Sequence, residues 1–112
     1  MNIPLSNSKC KPCSGDTPKL SEKEIMDLII HLDNWNINDD KEMIFKKFHF
    51  SNFKKALKFV NDIGELAEQE GHHPDLSIGW GYCLVMIHTH AIKGLSKNDF
   101  ILASKIDLIE KN

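Results

Sequence analysis

Glu68-Gln69-Glu70-Gly71-His72-His73-Pro74-Asp75 is the stretch that decides how this chain is built. The residue before a proline is pushed out of the helical region toward extended backbone, so His73 cannot continue a helix. Gly71 supplies the left-handed stop that helices favour at their C-terminal end. The stretch therefore predicts a helix ending near Glu70, a strand starting near Asp75, and a pair of imidazoles at the corner between them.

Upstream of that corner, Phe53, Ala56, Leu57, Val60, Ile63, Gly64 and Ala67 recur at helical spacing. Lys54, Lys55, Lys58, Glu65 and Gln69 lie largely off that stripe, and Ser51 stands where an N-cap would. Before this helix, the aromatic and β-branched run Met43–Phe50 and the short Trp35–Ile37 flank a turn-like Asn38-Asp39-Asp40, which predicts a β-hairpin. Ile44, Phe48 and Phe50 share one face of it, with Phe45 on the other. Still earlier, Ser21-Glu22-Lys23-Glu24 is a capping box, and Ile25, Leu28, Ile29 and Leu32 follow at helical spacing, which predicts a helix over 22–32.

Downstream of the corner, the stretch 76–87 turns β-like, and Gly79 and Gly81 offer a turn around Trp80. A second strand is expected from Tyr82 to Thr89, which would put His88 and His90 on one face. Gly94-Leu95 breaks the chain, and Ser96-Lys97-Asn98-Asp99 is another capping box, opening a last helix over 97–110. The order is helix, two strands, helix, two strands, helix. With short connections this predicts an α+β fold: a four-stranded antiparallel sheet with three helices on one face. Residues 1–20, punctuated by Pro4, Pro12, Gly15 and Pro18, are expected to form a loosely held extension, and residues 21–112 the domain.

The chain has 112 residues, 14 basic and 16 acidic, with a formal charge of −2 and 41% hydrophobic content. That is ordinary globular composition for one domain, without the basic excess of a nucleic-acid surface. No apolar run approaches the roughly 20 residues that span a bilayer. Met1 to Leu20 is polar and is not expected to act as a secretory leader, so a cytoplasmic protein is expected. Cys10 and Cys13 form a lone CxxC without a second pair to close a four-thiolate site.

Of 6 histidines, His72, His73, His88 and His90 fall in two short pieces. An imidazole titrates near neutrality, so several facing one cleft suit a reaction that needs one proton delivered and another removed. No GxSxG, GxxxxGK[ST] or GxGxxG accompanies them. Taken singly, His88 is expected to be a hydrogen-bonded structural residue. A His-x-His strand plus a further histidine is also a workable zinc triad, although HExxH is missing.

These residues resemble the pterin-4a-carbinolamine dehydratases. The likeness rests on Glu68 through Asp75, on Thr89-His90, and on Gly94-Leu95-Ser96 with Asp99 and Ala103. Ile44 to Phe50 resembles that family's second strand, and Phe53 and Ala56 its following helix, so the likeness covers residues 21–107. It implies a lyase that removes water from a 4a-hydroxytetrahydropterin, the pterin left by aromatic amino-acid hydroxylases, to give the quinonoid dihydropterin, with neither metal nor organic cofactor. His72, His73 and His90 match the active-site histidines, Asp99 the acid that supports them, and Glu68 a nearby glutamate. Pro74, Thr89, Trp35 and Trp80 are counted as supporting or substrate-binding residues. Proton transfer is assigned to His72 and His90, and orientation to His73. Leu76 stands where the family commonly has tryptophan, and Trp80 where tyrosine is frequent. Homodimers or homotetramers are expected, with no nucleic acid and no membrane. The rival readings are a non-enzymatic dimerisation or coactivator module and a zinc-dependent hydrolase.

Overall fold

The fold is described from a computed structural model that covers residues 5–11 and 15–111. Cys13, Pro4 and Pro12 lie outside the described residues. The elements are α1 (Glu22–Ile29), β1 (Asn36–Ile37), β2 (Ile44–His49), α2 (Phe53–Glu70), β3 (Asp75–Gly79), β4 (Tyr82–Ile87) and α3 (Lys97–Asp107). The strands form one antiparallel sheet in the order β1-β2-β4-β3. This is the predicted α+β architecture.

Local chemistry accounts for the helix starts. In α1 the Ser21 hydroxyl accepts from the Glu24 N–H at 3.2 Å, and the Glu24 carboxylate accepts from the Ser21 N–H at 2.9 Å. Hydrogen bonding to the carboxyl from the Ser21 backbone N–H, and then from the Ser21 side chain, holds Glu24 below its usual range. Regular α-helix stops at Ile29 rather than Leu32, because the His31 and Leu32 N–H groups bond three residues back, to Leu28 and Ile29. The N-cap of α2 is Asn52, not Ser51. Its side-chain oxygen takes the Lys55 N–H at 2.8 Å. At the other end Gly71 sits at φ 68, and the Gly71 and His72 N–H groups both bond to the Ala67 carbonyl. α3 likewise ends at Asp107, short of Glu110.

The core lies between the helices and one face of the sheet. Ile44 and Phe48 of β2 pair with Ile87 and Cys83 of β4, and with Val85 they are buried together with Ile25, Phe59, Ile63, Phe100, Leu102 and Ile106. Phe59 carries α2 onto the sheet, with ring centroids 4.7 Å from Phe48 and 5.2 Å from Phe50. The buried stripe of α2 is Ala56, Phe59, Ile63 and Ala67. It is rotated from the expected stripe, which omitted Phe59 and included Phe53 and Leu57, 45% and 42% exposed.

Leu5–Asn7 forms a 3-10 turn packed on α3. Beyond it, the Cys10 N–H reaches the Glu70 carboxylate at 3.0 Å, and Asn98 exchanges hydrogen bonds with the Lys11 backbone at 2.9 and 2.6 Å. So the described lead-in, expected to be loose, is pinned where α2 ends and α3 begins. Burial, the Glu70 charge and the Glu70 hydrogen bond push the Cys10 thiol up to about 12, which makes it a poor nucleophile.

Two outcomes are expected. Phe59→Ala should lower the unfolding free energy by about 3–5 kcal/mol, whereas Phe53→Ala should change it by only ~0.5 kcal/mol; urea denaturation of both checks this. Burial pushes the Glu70 carboxyl up, but the Cys10 N–H and the Lys105 ammonium at 2.8 Å outweigh it and hold it below 4.5. The carboxyl is thus more acidic folded than unfolded, so its stabilisation is present above the ordinary value and drains away as pH falls through the folded one. Glu70→Gln should cost about 2 kcal/mol at pH 7, and the gap from wild type should close as the denaturation is repeated at falling pH below 4.5.

Candidate active site

Two chain corners build the site. At the exit of α2 the left-handed Gly71 turns the chain, and Pro74, half-buried, holds His73 extended. His72 turns inward and is 7% exposed, while His73 faces solvent. At the exit of β4 the strand stops at Ile87 rather than Thr89. The Thr89 N–H bonds to the Gly94 carbonyl at 2.9 Å, and His90–Ile92 makes a 3-10 turn that closes on Lys93 at φ 50. The expected extended His88–His90 pair is therefore folded back, and the two rings approach to 4.0 Å between centroids.

Asp99 ties the corners together. It sits on the first turn of α3 and is 0% exposed. One carboxyl oxygen meets His72 Nε2 at 2.6 Å. The other accepts from the Thr89 hydroxyl and from the Ser96 N–H, both at 2.8 Å. The Thr89 and Ser96 hydroxyls are themselves 2.7 Å apart. The capping carboxylate and the histidine partner are thus one group.

His73 Nε2 pairs with the Glu68 carboxylate, one turn back on α2. Glu68 joins His73, not His72 beside it. His88 Nε2 lies 3.2 Å from the Asp75 carboxylate. Asp75 follows His73 by two residues, a span of at most about 7 Å, so His73, Asp75, His88 and His90 gather at one end of the sheet. The part played by Asp75 was missed from sequence. The signal was its register, because Asp75 pairs with Met86, the neighbour of His88 along the same face of β4.

The tryptophans do not join this group. Trp35 is 6% exposed, meets Phe48 edge-on with centroids 6.2 Å apart, and donates its indole N–H to Asp107 at 2.9 Å. Asp107 lies two turns beyond Asp99, about 12 Å along α3. The salt bridge from Lys46 to Asp107 at 2.9 Å completes that separate cluster. Trp80, 72% exposed, caps the β3–β4 turn, some five residues or about 17 Å from Asp75. Trp35 is a core residue held by packing, and Trp80 is carried away from the histidines by the length of β3.

The site can deliver and accept protons. Its exposed imidazoles are His73 and His90, and His72 is braced by a buried carboxyl. Among the described residues no helix is long and apolar enough to cross a membrane.

The sequence profile described as Pterin 4 alpha carbinolamine dehydratase matches residues 18–109. A Methylococcus capsulatus protein with the provisional name pterin-4-alpha-carbinolamine dehydratase is 47% identical over 103 residues, covering 92% of this chain and 90% of its own. A Rickettsia canadensis protein of the same provisional name is 53% identical over 104 residues, covering 92% and 94%. Among solved structures, a Brucella melitensis protein described as a transcriptional coactivator/pterin dehydratase superposes with a TM-score of 0.76 at 29% identity, covering 80% of this chain and 96% of that one. The profile spans most of the domain, including both histidine corners and Asp99, and the chain belongs to the pterin 4 alpha carbinolamine dehydratase family.

Proposed function

We propose that the protein removes water from a 4a-hydroxytetrahydropterin by histidine acid–base chemistry. In this elimination the C4a–O bond breaks. The hydroxyl leaves as water once protonated, and the N5–H electron pair becomes the N5=C4a double bond as its proton is taken up. The product is the quinonoid dihydropterin. One imidazole must give a proton and one must take one, each within hydrogen-bond reach of a bicyclic ring.

The observation that most supports this reading is the buried chain from His72 through Asp99 to Thr89, which joins the two corners and leaves His73 and His90 exposed at one end of the sheet. Burial argues for a division of labour different from the one expected from sequence. His72, committed to Asp99, orients the corner. His73, paired with Glu68, and His90, its ring tilted against that of His88, move the protons. The substrate is the pterin released by an aromatic amino-acid hydroxylase, so the reaction belongs to the recycling of a tetrahydropterin such as tetrahydrobiopterin.

A second reading, a docking or self-association module, is favoured by apolar side chains left exposed on the helices and at their C-caps: Met26 at 49%, Ile30 at 74%, Phe53 at 45% and Leu108 at 72%. Homodimers or homotetramers formed through these faces are compatible with the dehydratase, and light scattering of the purified chain checks for them.

The decisive assay generates the 4a-hydroxytetrahydropterin and follows its ultraviolet decay. The wild-type protein should accelerate decay above the uncatalysed rate. His73→Ala and His90→Ala should each lower kcat by about 10²–10⁴-fold, the usual worth of a positioned acid or base. Decay no faster than buffer alone, with the protein folded, would discard the dehydratase and leave the docking module.

A further inference from the structure

We propose that Asp75, His88 and His90 form a binding site for a divalent transition-metal ion of the zinc type, and that its occupation blocks the dehydration by withdrawing His90. The second half rests on the function proposed above. The first half does not.

One ligand atom from each of the three side chains lies within 4.8 Å of the other two. The donor set is two imidazoles and one carboxylate, the mixture that zinc, iron(II) and their neighbours take. Around a tetrahedral zinc with bonds of about 2.1 Å, ligand atoms stand about 3.4 Å apart. His88 Nε2 and the Asp75 carboxylate oxygen are already 3.2 Å apart, so one edge of the tetrahedron is set. The third ligand, His90, is exposed, and its ring stands over His88 at 4.0 Å. Its ligand atom, within 4.8 Å of the other two, need close by no more than about 1.4 Å to reach the tetrahedral spacing.

The backbone holds this geometry. Asp75 pairs with Met86 across β3 and β4, which puts His88 diagonally beside it on the same face. The Thr89–Gly94 bridge and the 3-10 turn then fold His90 back over His88. Asp99 takes no part, because its oxygens serve His72, Thr89 and Ser96. A metal at Asp75, His88 and His90 would therefore leave the buried brace in place while binding an imidazole lone pair of His90 that proton transfer requires.

The site can be read with zinc and with cobalt(II), whose visible absorption reports tetrahedral nitrogen and oxygen ligands. Calorimetric titration of zinc into chelator-stripped wild type should show one ion per chain. Asp75→Asn and His88→Ala should each weaken binding at least tenfold with an unchanged circular dichroism spectrum, and cobalt(II) should give its tetrahedral bands only in the wild type. No zinc binding by the wild type, or equal binding by folded variants, would overturn the site. In the decay assay, zinc should slow the wild type at concentrations that titrate the site, chelator should restore the rate, and Asp75→Asn should need at least tenfold more zinc for the same inhibition. Zinc bound without slowing the reaction would overturn the inhibition alone. A chain that binds zinc but never accelerates decay would remove the dehydratase, and inhibition with it, while the metal site stands.

Discussion

A carboxyl group with no solvent exposure organises this molecule. Asp99 is buried at the start of α3, and a carboxyl taken out of water costs several kcal/mol unless its oxygens find donors. Here His72, the Thr89 hydroxyl and the Ser96 N–H supply them. Each comes from a different part of the chain: the exit of α2, the exit of β4, and the N-cap of α3. The carboxyl is satisfied only when all of these segments are in place, so the fold and the site close together. Replacing any one partner leaves a polar group buried without its mate, which is the expensive way to break a hydrogen bond.

The remaining structure supports that junction from outside. The sheet sets the separation of β3 and β4, and thereby places Asp75 against His88. Phe59 and Ile63 press α2 onto the core face, which fixes where the helix ends and where Gly71 turns the chain. The N-terminal segment adds a brace behind the site. Cys10 and Lys105 hold Glu70 two residues before His72, and Lys11 holds Asn98 one residue before Asp99. Against this back wall His73 and His90 face solvent, as the proposed proton transfer requires.

Much of this was legible because it is local. The capping boxes at Ser21 and Ser96, the stop at Gly71 and the extended backbone before Pro74 follow from hydrogen bonds and steric limits within a few residues. An antiparallel sheet followed from the short connections within each strand pair, whereas the strand order β1-β2-β4-β3, which sets β4 beside β2, was not read from the sequence. The errors came where a local signal was degenerate. Ser51 and Asn52 are both competent caps, and in the fold it is the Asn52 side chain that takes the Lys55 N–H. The apolar residues of α2 cover an arc wider than the sheet can contact, so periodicity alone could not choose Phe59 over Phe53 and Leu57. Trp35 had the chemistry of a pocket wall, but its packing on Phe48 and its bond to Asp107 place it in the core.

By itself the sequence determined the elements, their order, the family, and the side chains capable of acid–base work, because backbone preferences and residue types are properties of neighbours along the chain. Only the tertiary structure decided how those side chains are paired. Glu68 serves His73 rather than His72, His72 is buried on Asp99, and Asp75 joins His88 and His90. Such pairings depend on sheet register and on the angle at which α2 and α3 meet, and both are set by long-range packing that minimises exposed apolar surface.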